Sequence, residues 1–295
     1  MAEPVRKIEP PRQETLLDDE EPGITLLRWV EGPGGTKRQM EMRLTPEIFL
    51  NPQFGDQIMY GERHSRVGRE IAGLLESRLE GTPDVVVFFD MKLLLRDRSL
   101  PDPGPDVMVV RGIRPGNRKS FDVRKERVRP SLIVEVVSPR DSTIRKIDLE
   151  KKPGIYEQAR IPEYVIVDST RQDDPLRLLG YRLDGSGRYQ PIEPDASGRI
   201  LSETAGVWFQ ISPAGERVLV FEHPSGRRVL NLPEQKKKAN REARARKAAE
   251  EEASREAEAR KAAEEEANRE AKARKAAEEE NARLRAELER LRGER

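Results

Sequence analysis

The chain has 295 residues, 37% of them charged, only 5% aromatic and none of them cysteine. Such a polar composition implies that part of the chain has no core of its own, and the missing cysteine excludes disulfides, thiolate zinc sites and cysteine nucleophiles. The net charge of +1 divides into −2 over residues 1–235 and +3 over 236–295, so bulk charge does not argue for nucleic acid, although carboxylates gathered round a metal would offset a basic rim.

Residues 1–22 are rich in proline and acid, and read as a disordered arm. No apolar signal core lies within them, and no run approaches the ~20 apolar residues that span a bilayer. The expectation is a cytoplasmic protein with no membrane partner. ITLLRWVEGPGGTKRQMEMRL (24–44) places two alternating stretches around Gly-Pro-Gly-Gly, which predicts a β-hairpin. Val67, Ile71, Leu74, Leu75 and Leu79 fall on one face of a helix over 65–79. DVVVFFDMKLLL (84–95) reads as one long strand. DVMVV (106–110), SLIVEVV (131–137) and EYVIVDS (163–169) read as short buried strands. A helical stretch ending near Ala159 joins the last two, which predicts a crossover unit in a mixed α/β sheet. LRLLGYRLD, GRYQPI, VWFQIS and RVLVFEH then read as antiparallel strands.

From Ala243 the sequence repeats every fourteen residues, or two heptads. Asn281 and Leu288 take a positions, Leu284 and Leu291 take d positions, and the seam behind them is mostly alanine. A parallel homodimer through residues 245–292 is one reading. A lone helix held by pairs such as Glu251/Arg255 and Glu270/Arg274 is the other. The expected division is an arm at 1–22, a globular domain at 23–233 and a charged coiled-coil helix at 234–295.

The candidate chemistry lies between Pro105 and Asp168. Asp106 opens one predicted strand and Glu135 sits inside the next. A carboxylate in an apolar strand is costly to bury without a partner, an arginine or a metal. Alternation puts Glu135 on the face of Ile133 and Val137, away from Val134 and Val136. Two carboxylates on neighbouring strands suit Mg²⁺ (or Mn²⁺), which can activate a water against a phosphodiester, with a lysine balancing the developing charge.

PDVMVV, RPSLIVEVVSP, DLEKKPGIY and IPEYVIVD, in this order, resemble the Uma-type restriction endonuclease family, common in bacteria and part of the PD-(D/E)xK superfamily. The resemblance spans roughly residues 25–215 and is tightest over 105–168. It implies a restriction-endonuclease-like mixed β-sheet flanked by helices, a divalent cation, and DNA as partner. It also implies Asp106 and Glu135 as metal ligands and catalytic residues. Val137 stands where the superfamily motif has lysine. In the family that resembles this chain, the lysine lies on the next helix in a D-x-x-x-K-x-x-x-Y pattern, matched by Asp148, Lys152 and Tyr156. Lys152 is then the third catalytic candidate. Because Pro153-Gly154 follow it, the helix either starts at Pro153 or bends there, which keeps Lys151 and Lys146 as substitutes.

Other residues have plain readings beside functional ones. Tyr156 is a packing residue or a site residue, and His64 an exposed polar residue or a phosphate contact. Glu70 and Glu76 are surface acids or further metal contacts, and Ser138 is a cap or a site residue. The leading functional reading is a metal-dependent endonuclease acting on DNA. The alternative is an inactive nuclease fold that scaffolds through its coiled coil. No G-x-S-x-G elbow or P-loop motif is present.

Overall fold

A computed structural model describes residues 23–293, apart from 139, 170 and 172. The arm expected over 1–22 lies outside the described residues. The chain divides between Leu232 and Pro233 into two compact units.

The first unit opens with the expected hairpin. β1 (Thr25–Glu31) and β2 (Lys37–Arg43) pair antiparallel, and the turn between them is a single 3-10 turn at Pro33–Gly35. Gly34 and Gly35 take φ of 75° and 77° there, a left-handed conformation that glycine alone adopts freely. Helix α1 (Pro46–Leu50) follows, with Thr45 accepting from the Ile48 N–H as its cap. β3 (Gln57–Ile58) then adds to β1, giving a small sheet of order β2-β1-β3.

Helix α2 (Glu62–Leu79) buries Val67, Ile71, Leu74, Leu75 and Leu79, the apolar face that the spacing predicts. The single strand expected over 84–95 is two strands, β4 (Val85–Phe89) and β5 (Leu93–Leu94). The chain breaks at Asp90, whose φ is 49° and whose N–H donates to the Asp106 carbonyl at 2.8 Å. Local propensity favours strand throughout this run, but tertiary pairing overrides it. β5 leaves the main sheet and pairs with β7.

β6 (Val107–Arg111), β7 (Phe121–Asp122), α3 (Val123–Glu126) and β8 (Pro130–Val136) come next. The crossover is one helical run in three parts: α4 (Ser142–Lys146), a π-helical turn (Ile147–Lys151) and α5 (Lys152–Gln158). β9 (Glu163–Asp168), β10 (Arg177–Leu183) and β11 (Tyr189–Pro191) complete a six-stranded sheet of order β11-β10-β9-β8-β6-β4. Its only parallel pair is β8 with β9, as a crossover requires. β12 (Ile200–Ser202), β13 (Val207–Ile211) and β14 (Val218–Glu222) form a separate antiparallel sheet.

The large sheet is buried on both faces. On one side Leu132, Val134, Val136, Val107 and Val109 pack with α2 and the second sheet. On the other, Ile133, Val137, Met108 and Val110 pack with Tyr156 of α5 and Tyr164. A third core joins the hairpin sheet to the crossover run through Leu26, Phe49, Ile144 and Ile147. Helix α6 (Leu232–Gly293), 62 residues long, supplies the described part of the second unit from Pro233 onward, with every side chain described from 236 onward exposed. Arg274 pairs with Glu278 at 3.1 Å and Arg246 with Glu250 at 2.8 Å, so these arginines reach toward the C-terminus. Asn281 donates to its own helix at the Ala277 carbonyl. The side chains of Leu288 and Leu291, expected in the seam, lie outside the described residues. No described helix is long and apolar enough to cross a membrane.

One carboxylate fastens the two sheets. Glu163 is 1% exposed. It accepts from Ser202 Oγ (2.5 Å), Thr204 Oγ1 (2.6 Å), the Glu203 N–H (2.9 Å) and Arg182 Nε (3.0 Å). Removing it strands buried donors and an arginine, so Glu163→Ala is expected to lower stability by about 3 kcal/mol. Urea unfolding of the variant against the parent measures this, and an unchanged midpoint would show that the network carries no net stability.

Candidate active site

Strand register brings the two acids together. Val107 faces Val134 across antiparallel β6 and β8, so the next step along each strand sets Asp106 opposite Glu135. Residues directly opposite in an antiparallel pair share a face. Asp106 Oδ2 accepts from the Val136 N–H at 2.7 Å, which locks the carboxylate to the neighbouring strand. Both acids are buried, at 7% and 2% exposure.

Helix α5 approaches the same point from the crossover. Lys152 Nζ lies 2.9 Å from Glu135 Oε1 and 2.8 Å from Asp148 Oδ1. Tyr156 Oη donates to the same Glu135 oxygen at 2.7 Å. The choice between a helix start and a bend at Pro153 resolves as a widened turn. The Lys152 N–H donates to the Ile147 carbonyl, five residues back, and Pro153 falls in the first turn of α5, where its missing N–H costs least. Such π-turns sit inside helices, often at functional sites. The turn keeps Asp148, Lys152 and Tyr156 all buried toward the sheet.

The remaining candidates separate cleanly. His64 is in the site: Nε2 lies 3.4 Å from Asp106 Oδ2 and its ring stacks on Tyr60 at 3.8 Å. Lys151 is exposed and Lys146 reaches Glu150 at the surface, so Lys152 is the lysine the fold delivers. Glu70 is held by Arg217, and Glu76 is exposed, so neither joins the centre. The cap of α4 is Asp141, not Ser138. Sequence reasoning passed over Asp90, which the register of β4 with β6 sets beside Asp106. No local signal marks it, because the 84–95 run reads as one strand. It also passed over Phe49, whose ring covers the Lys152 ammonium at 4.3 Å.

Electrostatics follow from burial. Loss of solvent pushes the Glu135 carboxyl up to about 8, against the pull of Lys152, and raises Asp148 in the same way. Burial also acts to raise Asp106, but facing His64 and the Val136 N–H outweighs it and holds this carboxyl below its ordinary value. Lys152 loses solvent too, yet Asp148 and Glu135 more than compensate and raise it.

A divalent cation fits this donor set. Among the described residues no three acidic or histidine side chains form a ready cage, but Mg²⁺ commonly takes one or two carboxylates, with water and phosphate completing its shell. Asp148 Oδ1 is buried without a well-directed hydrogen bond, despite its closeness to Lys152. Burial, with a smaller contribution from the neighbouring Asp106 and Asp148, pushes the Glu135 carboxyl up to about 8.

The mixed sheet, the crossover helix and the acid–lysine centre define a nuclease-type α/β fold. A family model described as "Uma2: Putative restriction endonuclease" matches residues 57–214, and the chain belongs to this family. A solved structure from Anabaena variabilis, titled a "putative nuclease belonging to DUF820", is 17% identical; the match covers 50% of this chain and 79% of that one, with a TM-score of 0.36. No curated protein matches.

The raised Glu135 value has a consequence for stability. The folded state keeps this proton up to about 8, whereas the unfolded chain releases it near 4.5. The folded state therefore binds more protons within that window, and this contribution, complete below the lower value, is lost as pH rises through the upper one. Melting in chelator is expected to weaken over this range, and millimolar Mg²⁺ or Mn²⁺ to restore stability at the alkaline end only. Glu135→Gln should flatten the dependence. An identical pH slope in that variant would refute the assignment.

Proposed function

We propose that the chain is a metal-dependent endonuclease that hydrolyses DNA phosphodiester bonds. The observation that carries this reading is the convergence of Asp106, Glu135 and Lys152 at one buried point on a fold of the Uma2 family. Asp106 and Glu135 would hold Mg²⁺ or Mn²⁺. When bound, the ion supplies charge to polarise the phosphate and to lower the pKa of an attacking water.

The protein side chains have separable tasks. Lys152 stays protonated because three carboxylates face it, so it acts as a donor and positive charge for the attacking water and the phosphorane, not as a base. Tyr156 ties one oxygen of Glu135 and leaves the other for coordination. The Val136 N–H and His64 brace Asp106. A rigid, preorganised centre of this kind loses little free energy to reorganisation during reaction. Phe49 of α1 lays its ring over the Lys152 ammonium at 4.3 Å.

Plasmid DNA incubated with the protein and Mg²⁺ or Mn²⁺ is expected to be nicked or linearised, with EDTA abolishing the reaction. Asp106→Ala and Glu135→Ala should each lower the rate by at least ~100-fold, and Lys152→Ala by a similar factor. Cutting by all three variants at the parent rate would remove the site assignment. A second reading, an inactive nuclease fold that serves as a scaffold, is favoured by the non-basic body. It requires that no divalent ion bind at millimolar concentration in a calorimetric titration.

Helix α6 has its own role in the proposal. With none of its described apolar side chains covered, it pairs with a second copy through residues 245–292, where Leu284 is 52% exposed. Light scattering is expected to give two chains per particle for the full protein and one after removal of 236–295. An equal subunit number for both would rule out the pairing.

A further inference from the structure

Beside the acidic centre, the N-terminus of α2 opens onto a cavity lined by Gly61, Arg63, His64, Ser138, Arg140 and Ser169, with apolar side chains between them. The centre of a water-sized sphere can move through about 20 Å³ of it, and the whole space, open mouth included, reaches about 360 Å³. Room of that size admits one oxygen-sized group, since a single water needs roughly 10–15 Å³. A larger group can sit in the mouth and insert one oxygen.

The inner wall is set up to donate hydrogen bonds. Ser138 and Ser169 are each 2% exposed, and neither side chain bonds to any described residue. Both lie just beyond the C-terminal ends of the parallel strands β8 and β9, where ligands of open α/β sheets collect. Helix α2 adds a third donor set. It is 18 residues long and its N-cap is Gly61, which has no side chain to cap the first-turn N–H groups. Uncapped N–H groups and the helix dipole both favour an anion.

Charge around the cavity agrees. Arg140 is exposed at the rim, and Arg63 is anchored there by the Asp174 carbonyl. The neighbouring carboxylate Asp168 is neutralised by Arg145 and Arg177. Glu62 is exposed and turns to Arg66. His64 links the cavity to Asp106 at 3.4 Å.

We propose that this cavity is a phosphate subsite: it seats a backbone phosphate adjoining the one at the Asp106–Glu135 centre, with the Ser138 and Ser169 hydroxyls and the α2 N-terminus as donors and Arg140 as counter-charge. The identity of the anion rests on the nuclease reading above, whereas the donor geometry does not.

The test measures binding without chemistry. A fluorescently labelled 20-base-pair duplex is titrated with the full chain in EDTA and followed by anisotropy at several salt concentrations. Inorganic phosphate is titrated in parallel by ³¹P NMR. The parent protein is expected to bind the duplex. The double variant Ser138→Ala with Ser169→Ala should bind about tenfold more weakly, and Arg140→Gln should reduce the slope of log affinity against log salt by about one. Circular dichroism checks folding, and Arg140→Gln, at an exposed position, keeps the test valid if the serine variant fails to fold. Unchanged affinity and slope in the folded variants overturn the subsite, as does failure of the parent to bind duplex. Binding of free phosphate without duplex binding also overturns it, because the site would then serve a small anion. Duplex binding that the variants weaken, in a protein that cuts nothing with metal, leaves the subsite standing and removes the nuclease reading instead.

Discussion

The buried ammonium of Lys152 is the constraint on which the rest of the centre depends. It is 1% exposed and sits between Glu135 and Asp148, which are 2% and 3% exposed. None of these groups is tolerable alone in such surroundings, because an isolated charge out of water costs several kcal/mol. Together they fasten α5 to β8, and so fasten the crossover to the strand it leaves. Loss of solvent raises both carboxyls, and the neighbouring acids add to it against the pull of Lys152. Acids crowded at a fixed buried point are a poor way to stabilise a fold and suit a cation that would displace their protons.

The fold builds this point from elements on both sides of the sheet. α2 lies on one face and brings His64 to Asp106. The crossover run lies on the other and brings Lys152 and Tyr156 to Glu135. The acids themselves stand where the strands meet in register, so backbone pairing sets their spacing and side-chain flexibility contributes little. The hairpin sheet and α1 complete the surroundings from a third direction. Most of that module, including Phe49, precedes residues 57–214, the part matched by the family. The Phe49 ring that lies on Lys152 therefore falls outside the family match.

The tail obeys a different logic. A 62-residue helix with its described side chains exposed from 236 onward has no tertiary core to hold it. Its order comes from propensity and from ion pairs one turn apart, each worth a few tenths of a kcal/mol. Such a helix is stabilised by its length and gains much from a partner.

The sequence by itself determined the elements whose signals are local. Alternation in SLIVEVV and DVMVV marked buried strands and put Glu135 on the correct face, and spacing in α2 marked its buried stripe. The intervals between Asp148, Lys152 and Tyr156 marked one side of a helix, and the fourteen-residue repeat marked the tail. Tertiary structure alone decided that Val107 faces Val134, that the 84–95 run breaks at Asp90, and that a π-turn carries Pro153. It also decided that Ser138 and Ser169, 31 positions apart, line one cavity with the start of α2. The physical reason is range. Periodicity is written within a few residues, because each turn or pleat repeats the same geometry. Register, broken strands and distant side-chain meetings depend on packing summed over the whole core, which no short stretch of sequence contains.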